Sequence, residues 1–246
     1  MPIGRFYCDC PLKPQAVAIV SEQEFHHLVH VVRAKHGETV TLVNGKGILA
    51  AASIEKIEKN RAILRIASTT ERNLPAFRTI LALAEPRLPR LRVIVEKGTE
   101  LGMTDLWVFP GHHGEKNILG EHHLQKMKAI AISAMKQCGR LDLPSLNTKP
   151  PLSQWEELPF TAYFGDLSPH APTLIHIWQT DPPRKGILLF IGSETGFSQE
   201  ELNRLHTLGA IGVKLHSNVL RNDTACLSAL SLIHQLNDEK TMHRGI

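Results

Sequence analysis

The chain has 246 residues, 42% hydrophobic and 21% charged, which suits one large or two small globular domains. No run of about 18 apolar residues occurs, which excludes a membrane-spanning helix, and Cys8, Cys10, Cys138 and Cys226 have neither zinc nor disulfide-ladder spacing. The net charge of +4 gathers early: ten Lys and Arg face seven Asp and Glu up to residue 75, against eighteen and seventeen beyond it, which permits a nucleic-acid partner.

The first residues, MPIGRFYCDC, carry no apolar signal segment, so a cytoplasmic location and reduced thiols are expected. Residues 5–8 and 16–20 predict short strands. Ser21-Glu22-Gln23-Glu24 has the capping-box pattern and predicts a helix to about residue 35, closed by Gly37. Its apolar face is Phe25, Leu28, Val29 and Val32. Its polar residues, including His26, His27, His30 and Arg33, read equally as a solvated face or a phosphate-contacting patch, and the histidines have no metal pattern. Residues 38–43 and 48–54 flank a hairpin turn at Asn44-Gly45-Lys46-Gly47, and 61–67 alternates again. The pattern is a small barrel with one helix.

Residues 71–75 read as a linker, after which the period changes. Strand 79–84, helix 90–101 and strand 105–109 make one βαβ unit of a parallel sheet. A long helix follows over 121–138, ended by Gly139. Residues 161–164 and 187–191 predict buried strands. Ser198-Gln199-Glu200-Glu201 is a second capping box, residues 211–215 a further strand, and a last helix runs over 223–236 with a tail predicted to fray.

No GxGxxG follows an early strand, no GxxxxGK[ST] occurs, and Gly192-Ser193-Glu194-Thr195-Gly196 lacks the central serine of a hydrolase elbow. Two late loops after parallel strands, 192–198 and 216–225, remain as a ligand site of the α/β kind.

Several motifs in order carry a resemblance. They are His27-Leu28-Val29-His30-Val31-Val32-Arg33, Asn44-Gly45-Lys46-Gly47, Glu96-Lys97-Gly98-Thr99-Glu100-Leu101-Gly102, Gln137-Cys138-Gly139-Arg140 with Pro144, residues 191–198, and Leu220-Arg221-Asn222-Asp223-Thr224-Ala225. Together they resemble the RsmE family of ribosomal RNA uridine-N3 methyltransferases in the SPOUT superfamily. The resemblance implies an α/β protein: an N-terminal PUA-like RNA-binding β-barrel over residues 1–72, and a SPOUT α/β domain with a trefoil knot over 75–246. It implies S-adenosylmethionine as donor, no metal, a homodimer, no membrane, and N3 of a uridine in 16S rRNA of the small ribosomal subunit as acceptor. The family pattern is departed from at Ser193, Thr195, His216, Asn218 and Glu115-Lys116-Asn117, and across Ser133-Ala134-Met135-Lys136. Ser193, Thr195 and Asn218 motivate one alternative, a non-catalytic rRNA-binding or ribosome-assembly protein; a SPOUT methyltransferase acting on another RNA is a further one.

For such a reaction Arg221 is the expected stabiliser of a uracil anion, because a guanidinium suits a delocalised oxyanion. Glu100 and Glu194 are the candidate bases. Glu100 could instead pair with Lys97 or Arg140, and Glu194 could hold backbone amides. Gly165, Gly192, Glu194, Gly196, Leu215, Leu220, Asn222, Thr224 and Ala225 are expected to line the donor pocket. Arg5, His27, Arg33, Lys97 and Arg140 are the expected RNA contacts.

Overall fold

Alternation of small and branched residues builds the first sheet. The computed structural model describes residues 4–112 and 119–242. The chain divides into two units, Met1–Leu74 with Ile132–Leu143, and Pro75–Ala131 with Pro144–Ile246. In the first unit β1 (Arg5–Tyr7), β2 (Val17–Ser21), β3 (Thr39–Val43), β4 (Ile48–Ile57) and β5 (Arg61–Glu71) form one sheet in the order β1-β3-β4-β5-β2. Ala50, Ala52 and Ile54 of β4 and Ala62, Leu64 and Ile66 of β5 face inward at period 2 and are buried with Phe6, Leu28 and Leu42. Register shifts between β4 and β5 near Ala51 and Ile54 add local twist. The expected hairpin forms: Asn44 Oδ1 accepts from the amides of Lys46 (2.9 Å) and Ile48 (3.2 Å).

The first capping box does not form. Ser21 is the last residue of β2, paired with Arg61, and its side chain makes no cap bond to α1 (Glu22–His26). Glu24 is recruited elsewhere: its carboxylate accepts from the Tyr7 amide (2.9 Å) and from Lys136 Nζ (2.5 Å). The helix continues as one π turn, His27–Val31, and Arg33 at φ +58° ends it before the expected residue 35. The wide turn keeps Leu28 buried and turns Val31 out, 62% exposed.

The second unit holds β6 (Arg78–Ala84), α2 (Leu88–Glu100), β7 (Asp105–Phe109), β8 (Ser145–Thr148), β9 (Thr161–Gly165), α4 (Leu174–Thr180), β10 (Gly186–Ile191), α5 (Gln199–Thr207), β11 (Ile211–Val213) and α6 (Asn222–Met242). Between β7 and β8 runs α3 (Glu121–Cys138), whose last turns, from Ile132, group with the first unit. The sheet order is β11-β9-β10-β6-β7-β8, and its paired strands are parallel. All of β10 is buried, as an uninterrupted apolar run requires in a sheet covered on both faces.

Two elements differ in extent from the sequence reading. β11 stops at Val213, because Lys214 turns its backbone to Pro172 and Leu174. α6 continues to Met242, past the point where fraying was expected. β8 and α4 were not anticipated. Ser145–Thr148 is a polar edge strand without apolar period, and α4 is short, capped by Thr173 accepting from the His176 amide at 3.2 Å. Glu115-Lys116-Asn117 lie outside the described residues. No described helix is long and apolar enough to cross a membrane.

Candidate functional site

β6, β10, β9 and β11 are neighbours and parallel, so their C-terminal ends open along one edge of the sheet. Such an edge is where open α/β sheets bind ligands. Segments 85–87, 166–173, 192–198 and 214–221 leave it.

The turn after β10 is built from its own polar groups. The Gly196 amide donates to the Ser193 carbonyl (3.0 Å), and Ser193 Oγ lies 3.1 Å from both Thr195 Oγ1 and the Gly196 carbonyl oxygen. Gly196 takes φ +82°. A Cβ on Gly192 would lie 2.8 Å from the Gly196 carbonyl carbon, so only glycine lets the turn fold back on the strand. Thr195 is exposed and has no positive φ, so the threonine fits where the related motif has glycine. Ser198 then caps α5 in a complete capping box with Glu201. Beside this turn, Gly165 ends β9. A Cβ there would lie 3.5 Å from Ile191 Cδ1 and 3.7 Å from Leu215 Cδ1, so Gly165 and Leu215 belong to one cluster.

The loop before α6 is ordered by local bonds. The Asn218 amide donates to His216 Nδ1 (3.0 Å), which gives the His216 departure from the family pattern a structural use. The Asp223 amide donates to Asn222 Oδ1 (2.7 Å), the Thr224 amide to Asp223 Oδ1 (2.9 Å), and the Ala225 amide to the Arg221 carbonyl (2.8 Å). Asn222 is buried, and its Nδ2 has no partner among the described residues. Leu220 is half-buried and Thr224 exposed. Arg221 is exposed, and no hydrogen bond or ion pair holds its guanidinium among the described residues.

Arg87 and Arg90, at the start of α2, join this constellation without having been singled out in the sequence. Glu194 Oε1 accepts from the Arg87 amide (3.4 Å) and lies 3.4 Å from Arg90 Nε. Arg90 Nη1 reaches Asn222 Oδ1 (3.4 Å) and Asp223 Oδ1 (3.6 Å). The only sequence signal was an arginine one turn into a helix that follows a buried strand.

Glu100 is not brought to these loops. It sits ten residues along α2 from Arg90, about 15 Å by helical rise, and pairs with Lys97 Nζ at 2.8 Å. Hydrogen bonds to Glu100, then Glu96, raise the Lys97 ammonium above its ordinary range. Lys97 therefore presents a charge already shared between two carboxylates.

The remaining cationic candidates lie in the first unit. Arg5 keeps Nε and Nη1 buried without a partner among the described residues, and a Cβ on Gly139 would lie 3.5 Å from that Nη1. His27 packs its ring on Phe6 (centroids 5.4 Å apart), and its Nδ1 is likewise buried and unpartnered. Arg33 is exposed on its left-handed turn. Arg140 is paired with Asp142.

The RNA methyltransferase domain family matches residues 72–234, and the RNA methyltransferase PUA domain family matches residues 20–67. The ribosomal RNA small subunit methyltransferase E of Mycobacterium tuberculosis is 27% identical over 237 residues, 93% of this chain and 90% of that protein. The crystal structure of a ribosomal RNA small subunit methyltransferase E from Neisseria gonorrhoeae, bound to S-adenosyl methionine, superposes with a TM-score of 0.81 at 25% identity. It covers 95% of this chain and 98% of that one. A Legionella pneumophila protein solved with bound SAM gives a TM-score of 0.82 at 27% identity, with 94% and 96% covered.

Proposed function

Because the chain belongs to the RNA methyltransferase family, with that family's PUA domain ahead of its transferase domain, we propose that it methylates small-subunit ribosomal RNA from S-adenosylmethionine. The observation that carries this reading is the glycine turn after β10 set beside the Asn222 loop, in a chain that superposes on a relative solved with that donor. The residues fit the group. Gly192 lets the turn fold tightly back on β10, and Asn222 Nδ2 is a buried donor with no partner among the described residues. Gly165, Gly192, Gly196, Leu215, Leu220, Asn222, Thr224 and Ala225 would hold it.

The donor, when bound, supplies an electrophilic methyl group on a sulfonium. The acceptor in this reading is N3 of a uridine in 16S rRNA. N3 lies between two carbonyls, so its proton must leave and charge must spread onto the flanking oxygens. Arg221, whose guanidinium has no partner among the described residues, stabilises that charge. Glu194 is the carboxylate within the loops that can receive the proton, a role typically worth about 10²–10⁴-fold. Arg5, His27, Arg33 and Arg140 serve RNA phosphates in the first unit, and Lys97 in the second. The proposal keeps residues 1–72 and 75–246 as the two functional domains. It includes a trefoil knot in the second, a homodimer in the cytoplasm, and the assembled subunit as substrate.

Calorimetry with S-adenosylhomocysteine tests the donor site. The wild type should bind, and Gly192→Val should lose binding at least about 100-fold, since its side chain would meet the Gly196 backbone. Absence of wild-type binding sinks the reading. Mass spectrometry of rRNA nucleosides from cells lacking the protein should show loss of N3-methyluridine from the small subunit.

A further inference from the structure

We propose that Arg90 is a positioning residue that ties the two donor loops together before the donor arrives. This rests on the reading that those loops hold S-adenosylmethionine. Glu194 belongs to the turn after β10, whereas Asn222 and Asp223 open α6. Helix α5 and strand β11 lie between them in the chain. Each loop is ordered by its own hydrogen bonds, Ser193 with Gly196 in one and Asn222 with Asp223 in the other. Those bonds stay within each loop. Among the described residues, Arg90 supplies side-chain contacts to both: Nε at 3.4 Å from Glu194 Oε1, and Nη1 at 3.4 Å from Asn222 Oδ1 and 3.6 Å from Asp223 Oδ1.

The chemistry suits a guanidinium. Its donors diverge in a rigid fork, so one cation can face acceptors on two loops at once. A lysine also has several donors, but they sit on one nitrogen that would have to lie within reach of both loops at once, whereas the guanidinium reaches them from separate nitrogens. Arg90, Glu194 and Asp223 keep a quarter to a third of their side-chain surface exposed, so each ion pair alone is weak. The effect comes from sharing. One cation lies between two carboxylates and offsets their repulsion, and it fixes the spacing of the turns that flank the ligand. Loops already ordered are not ordered at the ligand's expense, which is how preorganisation raises affinity. Arg90 approaches the donor site only through Glu194, Asn222 and Asp223, so it acts on the donor indirectly.

The test uses the full chain as wild type, Arg90→Met, Arg90→Lys, Glu194→Gln and the double variant Arg90→Met/Glu194→Gln. Without donor, amide hydrogen exchange over 193–197 and 216–222 should quicken about tenfold in Arg90→Met, in both loops together, while β6 and β10 keep their protection. The dissociation constant for S-adenosylhomocysteine should rise about tenfold, with Arg90→Lys between it and wild type. The double variant should bind no worse than Arg90→Met, because the two changes break one shared contact. In turnover by Arg90→Met, with Glu194 intact, the KM for donor should rise while kcat stays within about threefold. The proposal is overturned if exchange in the loops is unchanged, if only one loop responds, or if the whole sheet loosens uniformly. If wild type fails to bind S-adenosylhomocysteine, the functional reading falls, and the exchange comparison still decides whether Arg90 joins the loops.

Discussion

Arg90, at the edge of the second sheet, and Arg5, in the first unit, are in opposite states. Arg90 has three acceptors within 3.6 Å, on two loops. Arg5 and His27 carry buried nitrogens with no partner among the described residues. Leaving a buried donor unpaired costs about 1–3 kcal/mol, and more when it is charged. The loops after β10 and before α6 are thus tied by the chain's own residues. Arg5 and His27 are left without such ties among the described residues.

The largest effect should come from Arg221, whose guanidinium has no partner among the described residues. Arg221→Ala should lower turnover about 10²–10³-fold, roughly 3–4 kcal/mol, because it removes charge stabilisation made only in the transition state. Affinity for S-adenosylhomocysteine should stay within about threefold. Turnover close to wild type would remove Arg221 from the chemistry and leave it with the merely exposed arginines.

Next in size is a pair that has nothing to do with ligands. Asp105 is 3% exposed and accepts from Arg78 Nη2 at 2.5 Å, with Ser145 and Thr104 hydroxyls also donating. Burial alone would raise its carboxyl, but the bonds from Arg78, Ser145 and Thr104 outweigh burial and hold it below its ordinary 3.8. A carboxyl depressed in the fold stabilises above its unfolded value, and that stability is lost as pH falls through the folded value. Asp105→Asn should therefore cost about 2 kcal/mol at pH 7, discounted because Arg78 is half exposed. Against wild type, the gap should shrink as pH drops below about 4 in denaturant titrations. A gap that is constant from pH 7 to pH 3 would mean that the charge is not what the pair contributes.

Arg5→Met sharpens the contrast, because it removes a buried group that has no partner to lose. It should leave the thermal midpoint unchanged or raised. RNA affinity should fall about tenfold, near 1.4 kcal/mol, and the salt slope by about one, as for a lost phosphate contact. A clear loss of stability with unaltered RNA binding would show that Arg5 is an ordinary structural cation.

What could be read in the sequence depended on how local each cause was. β10 was legible because burial on both faces demands an unbroken apolar run, and β7 because Asp105–Phe109 is bounded by Gly102 and Pro110. The glycine turn was legible because Gly192 and Gly196 frame a backbone that a side chain would obstruct. The π turn was not, since a wider hydrogen-bond register still buries Phe25 and Leu28. Edge strand β8 has no apolar period to read. Arg90 gains its role from three segments far apart in the chain, which no window contains. Glu100 entered through resemblance, and helix rise then set it at the far end of α2 from the loops.

The two capping boxes give the smallest and most local test of this point. Ser21-Glu22-Gln23-Glu24 and Ser198-Gln199-Glu200-Glu201 share one pattern, S-x-x-E. At Ser198 both reciprocal bonds form, the Glu201 amide to Ser198 Oγ at 3.2 Å and the Ser198 amide to Glu201 Oε2 at 2.8 Å. At Ser21 neither serves as a cap, because β2 pairing holds the serine extended and Glu24 is engaged by Tyr7 and Lys136. Ser198→Ala should cost about 1 kcal/mol and quicken amide exchange in the first turn of α5, whereas Ser21→Ala should cost nothing measurable. Glu24→Ala reverses the expectation that a cap would give: it should loosen β1 and the segment around Lys136 more than the start of α1. Equal costs for the two serines would mean that the pattern, and not the bonds the fold allows it, carries the stability.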